Sequence, residues 1–241
     1  MGTSADRDGG SGGAWTSLKL AATSYAKSAG SGGGSDEQVR RLLGRQVAVF
    51  GGAGAAGGSA VSGGAALSAM GGFLSAMADV GLAVALRDVG LGHLVGGDRF
   101  DVLDELLTLL ASDGSDLESQ AARDAQCDVL DELFGDAEIW ADLDGLTVTE
   151  TQIETILANF LAHYVYNRIP AIGERLARLM DPAVARRADD RIIEMIRSLV
   201  EIHMPSDPLN FDWTGSPGRD FADETITETY RILEAFGDED L

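Results

Sequence analysis

From Thr149 onward the apolar residues Ile153, Ile156, Leu157, Phe160, Leu161 and Tyr164 recur at steps of three and four. That spacing puts all six on one face of an α-helix, whereas a strand would turn alternate residues to opposite sides. The pattern extends through the second half of the chain. Asp181-Pro182 offers an N-cap followed by a proline at the first helical position, after which Val184, Ala188, Ile192, Ile196, Leu199, Val200 and His203 line one side until Pro205. Leu103, Leu106, Leu107 and Leu110 mark a helix over 98–111, and Ala121, Ala125, Val129 and Leu133 one over 117–134. Ile226, Tyr230, Leu233 and Phe236 mark a last helix before an acidic end. Thr147 with Glu150, or Thr151 with Glu154, has the capping-box spacing that would start the Thr149 helix. Strand alternation is nearly absent, so the expected fold class is all-α: a helical bundle with a flexible Gly/Ser-rich N-terminal tail and a Gly/Ala-rich first region.

Charge and glycine divide the chain at one place. Residues 1–97 hold six acids, seven bases and 24 of the 31 glycines, while residues 98–241 hold the other 33 acids and 11 bases. The expected organisation is therefore a disordered tail over 1–14, a Gly/Ala-rich helical, partner-facing region over 15–97, and an acidic helical bundle over 98–241. Within the first region, Trp15–Ala29 and Asp36–Val49 read as helices joined by "GSGGGS", a flexible linker by composition. Gly51–Ala66 is almost entirely Gly, Ala and Ser. Each glycine costs a helix about 1 kcal/mol relative to alanine, so helix is expected there only where the small residues pack closely against something.

The total of 39 acids against 18 bases, with only Lys19 and Lys27 as lysines, fits a halophilic surface, on which dense carboxylates hold water where salt screens charge. It disfavours a broad grip on nucleic acid, which needs clustered bases. Cys127 is the single cysteine, which excludes an intrachain disulfide and a CxxC zinc site and suits a cytoplasmic location. No positive n-region followed by an apolar run marks a secretory signal, and Asp6 stands where a myristoylation pattern wants Ser or Thr. Met70–Leu86 is the best membrane candidate, but Asp79 and several glycines make a buried helix the better reading.

No catalytic residue, metal ligand or cofactor site stands out. Val47–Phe50 precedes Gly52-Ala-Gly54-Ala-Ala-Gly57, a GxGxxG match that would suit a dinucleotide-binding enzyme, yet nothing after residue 98 supplies the further strands of such a sheet. In "ADLDGLTVTE" the calcium-loop register puts Trp140 and Thr151 where carboxylates are needed. His93, His163 and His203 are isolated, and the carboxylate groups Asp189-Asp190, Asp101 with Asp104-Glu105, and Asp131-Glu132 read as solvated faces. The N-terminus is chemically more specific. Once Met1 is removed, Gly2 presents an α-amine of pKa about 7.7–8 on a tail that extends roughly 40 Å at about 3.3 Å per residue.

Met1-Gly2-Thr3-Ser4, the Gly/Ser-rich tail, "AWTSLKLAATSYAKSAGSG", "VRRLLGRQV" and "GGAGAAGG" together resemble the QatB family of the Qat anti-phage defence operon. The resemblance is most specific over residues 1–60, and the tail is shorter and richer in glycine than the proline-rich segment common in the family. It implies a non-catalytic antiviral-defence subunit working beside QatA, an ATPase, QatC, a QueC-like enzyme, and QatD, a TatD-like nuclease. It further implies that the QueC-like partner attaches a deazapurine to Gly2, with Thr3 and Ser4 recognised beside it and Trp15, Lys19 and Lys27 on the segment touching the partner. No direct contact with nucleic acid or membrane is expected.

Overall fold

A computed structural model describes residues 11–110, 115–200 and 205–238, and among these every regular element is helical. In chain order they are α1 (Ser11–Gly30), α2 (Asp36–Phe50), α3 (Ala53–Gly58), α4 (Val61–Val80), α5 (Leu82–Asp88), a 3-10 turn (Gly92–Leu94), α6 (Arg99–Leu110), α7 (Leu117–Phe134), α8 (Trp140–Asp144), α9 (Glu150–Asn167), α10 (Ala171–Leu179), α11 (Pro182–Val200) and α12 (Ser216–Asp238). The all-α expectation holds. The helices separate into two compact units, one of residues 1–59, 169–199 and 226–241 and the other of residues 60–168 and 200–225. Contacts thus group α10 and α11 with α1 and α2, cutting across the residue-97 charge boundary.

The amphipathic spacing is borne out by burial. On α9, Ile153, Leu157, Phe160, Leu161 and Tyr164 are fully buried, and Ile156 partly so. Thr149 caps this helix: its hydroxyl accepts from the Gln152 N–H at 3.3 Å while Gln152 Oε1 accepts from the Thr149 N–H at 2.9 Å. Neither of the two expected boxes, Thr147/Glu150 and Thr151/Glu154, is the one used. Asp181 does start α11, its carboxylate accepting from the Ala183 N–H at 2.9 Å, and Ala188, Ile192, Ile196 and Val200 are buried behind it. His203 lies outside the described residues.

The first unit corrects two expectations and meets the condition set on a third. Residues 11–14, assigned to the tail, already form the first turn of α1. The "GSGGGS" linker is a built turn: the Gly33 N–H donates to the Ser28 carbonyl at 2.9 Å, the Ser28 hydroxyl donates to the Gly33 carbonyl at 2.8 Å, and Ser35 caps α2 in a capping box with Gln38. Gly51–Ala66 is helical in two pieces, and close packing explains why. A Cβ on Gly57 would collide with Thr227 of α12, as one on Gly44 would with the Gly237 backbone.

In the second unit α4 packs against α7 and α9. Gly63 lies so close to the Tyr164 ring, and Gly71 to the Trp213 indole, that a side chain on either would enter the ring. The Met70–Leu86 stretch is broken at Gly81, whose φ of +81° ends α4 before α5 begins. Val61–Val80 is the one described helix long and apolar enough to cross a membrane, and 61% of its window is buried inside the protein.

Candidate partner interface

The first unit holds 13 of the 18 bases and 14 of the 39 acids, a net of −1, against 5 bases and 25 acids, a net of −20, in the second. The two units thus differ in charge along a boundary other than residue 97, because six arginines of α10 and α11 join the bases of α1 and α2. A nearly neutral unit in a chain of net charge −21 is the part least adapted to a fully solvated acidic surface.

Helix α1 leads this unit. Its inward side is Leu18, Ala22, Tyr25 and Ala26, all 1% exposed, packed on α2 and α10. Its outward side carries Trp15, 37% exposed, with Lys19 and Lys27 also exposed, and the Lys19 ammonium lies 5.9 Å from the centre of the Trp15 ring. The three expected contact residues on α1 thus share solvent access, and Trp15 and Lys19 touch. Gly2, Thr3 and Ser4 lie outside the described residues.

Two grooves flank α1. One, of about 410 Å³, is lined by Tyr25, Gly30, Gly34, Val184, Arg187 and Arg191. Arg191 closes one of its sides, donating through Nε and Nη2 to Asp36 at 3.0 and 2.7 Å and through Nη1 to the Gly34 carbonyl. The Tyr25 hydroxyl donates to the Ala188 carbonyl at 3.2 Å, and burial pushes its pKa above the ordinary value. The other, of about 250 Å³, runs between α1 and α2 and includes Leu20, Arg41 and Arg45. The sequence reading missed Leu20, which is 66% exposed. Its signal was present, as a leucine on the α1 face opposite the buried Leu18 row.

The GxGxxG match has a structural explanation. Val47–Phe50 is the last turn of α2, and no strand occurs among the described residues. Gly51 and Gly52 take φ of +89° and +103° to turn the chain, and the Ala53 N–H at the start of α3 donates to Glu234 Oε1 at 3.1 Å. A carboxylate from α12 therefore sits where the fingerprint would place a pyrophosphate. In "ADLDGLTVTE", Asp142 accepts from the Glu138 and Ile139 N–H groups, both at 3.1 Å, so its carboxylate is committed to the turn before α8. Among the described residues no three His, Cys, Asp or Glu side chains gather as a metal site.

One juxtaposition resembles a nucleophile site. Cys127, Asp128 and His163 line a groove of about 620 Å³, and His163 Nδ1 lies 3.0 Å from Asp128. The electrostatics oppose thiolate chemistry: burial, then the carboxylates of Asp128, Asp131 and Asp124, push the Cys127 thiol above its usual pKa. Cys127 is accordingly expected to alkylate several-fold more slowly than free cysteine with iodoacetamide at pH 7. Mass spectrometry of a time course checks this, and a rate at or above that of free cysteine would reverse the assignment.

Comparison with known proteins adds a family. A family model described as "QatB: Qat anti-phage system associated protein QatB" matches residues 51–233. No curated protein and no solved structure matches the chain. The matched span takes in the whole of the second unit and helices α10 and α11, with "GGAGAAGG" at its start, and leaves the tail, α1 and α2 outside. It runs through the small-residue helices, the acidic bundle and most of α12, well over half of the sequence, and on that extent the chain belongs to the QatB family of Qat anti-phage system associated proteins.

Proposed function

We propose that the chain is a non-catalytic subunit of a Qat-type defence system, working in the cytoplasm at high salt as the protein substrate of a QueC-like enzyme and as an interaction scaffold. The observation that carries the reading is the family match over 51–233. Supporting it, α1 starts at Ser11, immediately after the tail, and carries exposed Trp15, Lys19 and Lys27 on a unit of net charge −1. A substrate chain needs an amine that reaches into another protein's pocket and a nearby surface that holds the enzyme there. Gly2 supplies the amine, free of side-chain obstruction, with Thr3 and Ser4 recognised next to it. Docking on α1 raises the effective concentration of that amine at the enzyme, because the tethered tail makes the encounter intramolecular. A QatA-like ATPase and a TatD-like nuclease complete the set of partners.

Intact-mass measurement of the chain co-expressed with its operon tests this. The expected result is loss of Met1 with a mass addition of one deazapurine, absent from Gly2→Ala and from an N-terminally extended variant. Replacing Trp15 and Lys19 together is expected to reduce the modified fraction severalfold while leaving the helical spectrum unchanged. An unmodified terminus in the complete operon overturns the reading.

A further inference from the structure

The groove between α1 and α2 is lined by Leu20, Ala21 and Ser24 on one wall and by Gln38, Arg41 and Arg45 on the other. On α2 these positions step by three and four residues, and on α1 Leu20 and Ala21 stand four and three before Ser24, so the walls are two side-chain ridges with a channel between them, the geometry that receives a third helix. Ala21 and Ser24 are small enough to let a helix approach closely. Leu20, 66% exposed, is the large apolar side chain of the groove and can serve as its anchor.

Charge selects the occupant. Acids outnumber bases 39 to 18 in this chain, yet the groove is lined by two arginines and no acid. Arg41 pairs with Glu37 at 3.3 Å, but both side chains are largely exposed, at 44% and 80%, and such a pair exchanges readily for another carboxylate. Arg41 and Arg45 stand one helical turn apart, the spacing of two carboxylates at i and i+4 on a facing helix. Contacts at hydrogen-bonding distance also persist at high salt, where the Debye length is about 3 Å at 1 M.

We infer that the α1–α2 groove binds an acidic amphipathic helix of another Qat component, with an apolar residue on Leu20 and carboxylates one turn apart on Arg41 and Arg45. This deepens the scaffold part of the reading above and rests on the chain working in a Qat complex. It adds a contact surface to the Trp15–Lys19 face.

The test places a photo-crosslinking benzoylphenylalanine at Leu20 of the full chain, co-expressed with the other operon products. Irradiation is expected to link Leu20 to an acidic helix of one of those products, identified by peptide mass spectrometry. The Arg41→Glu/Arg45→Glu variant, checked for unchanged helicity, should lose at least tenfold of that cross-link, and reversing the partner's carboxylates to arginine should restore it. A cross-link only within the chain, including to its own acidic C-terminus, to a second copy, to a non-acidic segment, or to nothing overturns the inference. So does a cross-link indifferent to the double variant. Gly2 mass is read in the same samples: modification without the cross-link defeats the groove alone, and the cross-link without modification defeats the Gly2 reading alone.

Discussion

Gly63→Ala is expected to lower the unfolding temperature by about 10 °C. The new Cβ would stand inside the Tyr164 ring, and Tyr164 cannot swing aside without cost. Its side chain is fully buried, its ring stacks on Phe160 at 6.1 Å, and its hydroxyl donates to Glu118 Oε1 at 2.6 Å. The same carboxylate accepts from the Ser62 and Gly63 N–H groups at 3.1 and 2.9 Å, tying the start of α4 to α7. Overpacking costs about 1–3 kcal/mol and a hydrogen bond to a charged group about 1.5–3 kcal/mol, so a total of about 3–5 kcal/mol follows where both are lost. At about 2–4 °C per kcal/mol for a chain of this size, that is the shift given above. Gly54→Ala is the contrast: no atom lies within 4 Å of its Cβ, and the change is expected to be neutral or slightly stabilising. Thermal melts followed by circular dichroism check both. In a Tyr164→Ala background the Gly63→Ala penalty should nearly vanish, because the two sites share one volume. A Gly63→Ala protein melting within about 2 °C of the parent would mean that α4 does not lie against Tyr164.

The contrast between Gly63 and Gly54 shows what was legible in the sequence and what was not. The amphipathic helices declared themselves because each carries its own evidence, an apolar row with a polar row behind it. Gly51–Ala66 carries no such row, and its helicity depends on side chains far away in the chain, Thr227 for α3 and Tyr164 for α4, so only the condition of close packing was readable. The cap of α9 was misplaced for a local reason. Thr147, Thr149 and Thr151 alternate, and the one that caps is set by where the chain enters the helix. Helix α10 escaped notice despite buried Ile172 and Leu176 at i and i+4, its nine residues being too short for the period to stand out. At the candidate interface the exposed row of α1 was readable from residue type. The groove beside it was not, because it exists only where α2 packs alongside.

Residues 205–215, which carry no helix, supply the second large effect. Trp213, 2% exposed, fills the notch that Gly71 leaves on α4, with its indole edge-on to Phe211 at 4.8 Å and to Phe221 at 5.5 Å. Its Nε1–H donates to the Pro208 carbonyl at 2.7 Å, and the Ser75 hydroxyl of α4 donates to that same carbonyl at 3.0 Å. Trp213→Ala is expected to cost about 3–5 kcal/mol, because the glycine at 71 leaves nothing to collapse into the vacated space. Trp213→Phe keeps a ring in the notch and leaves the Pro208 carbonyl its Ser75 partner, so about 1–2 kcal/mol is expected from the lost bond and the smaller volume. Denaturant midpoints should therefore fall in the order parent, Trp213→Phe, Trp213→Ala. Equal losses for the two variants would assign the stabilisation to the indole N–H instead of to packing. If neither variant moves the midpoint, the 205–215 segment is not pinned to α4. Gly71→Ala separates the remaining possibility. It should be as damaging as Trp213→Ala in the parent and nearly silent once the indole is gone, since its methyl then enters the space that the ring occupied.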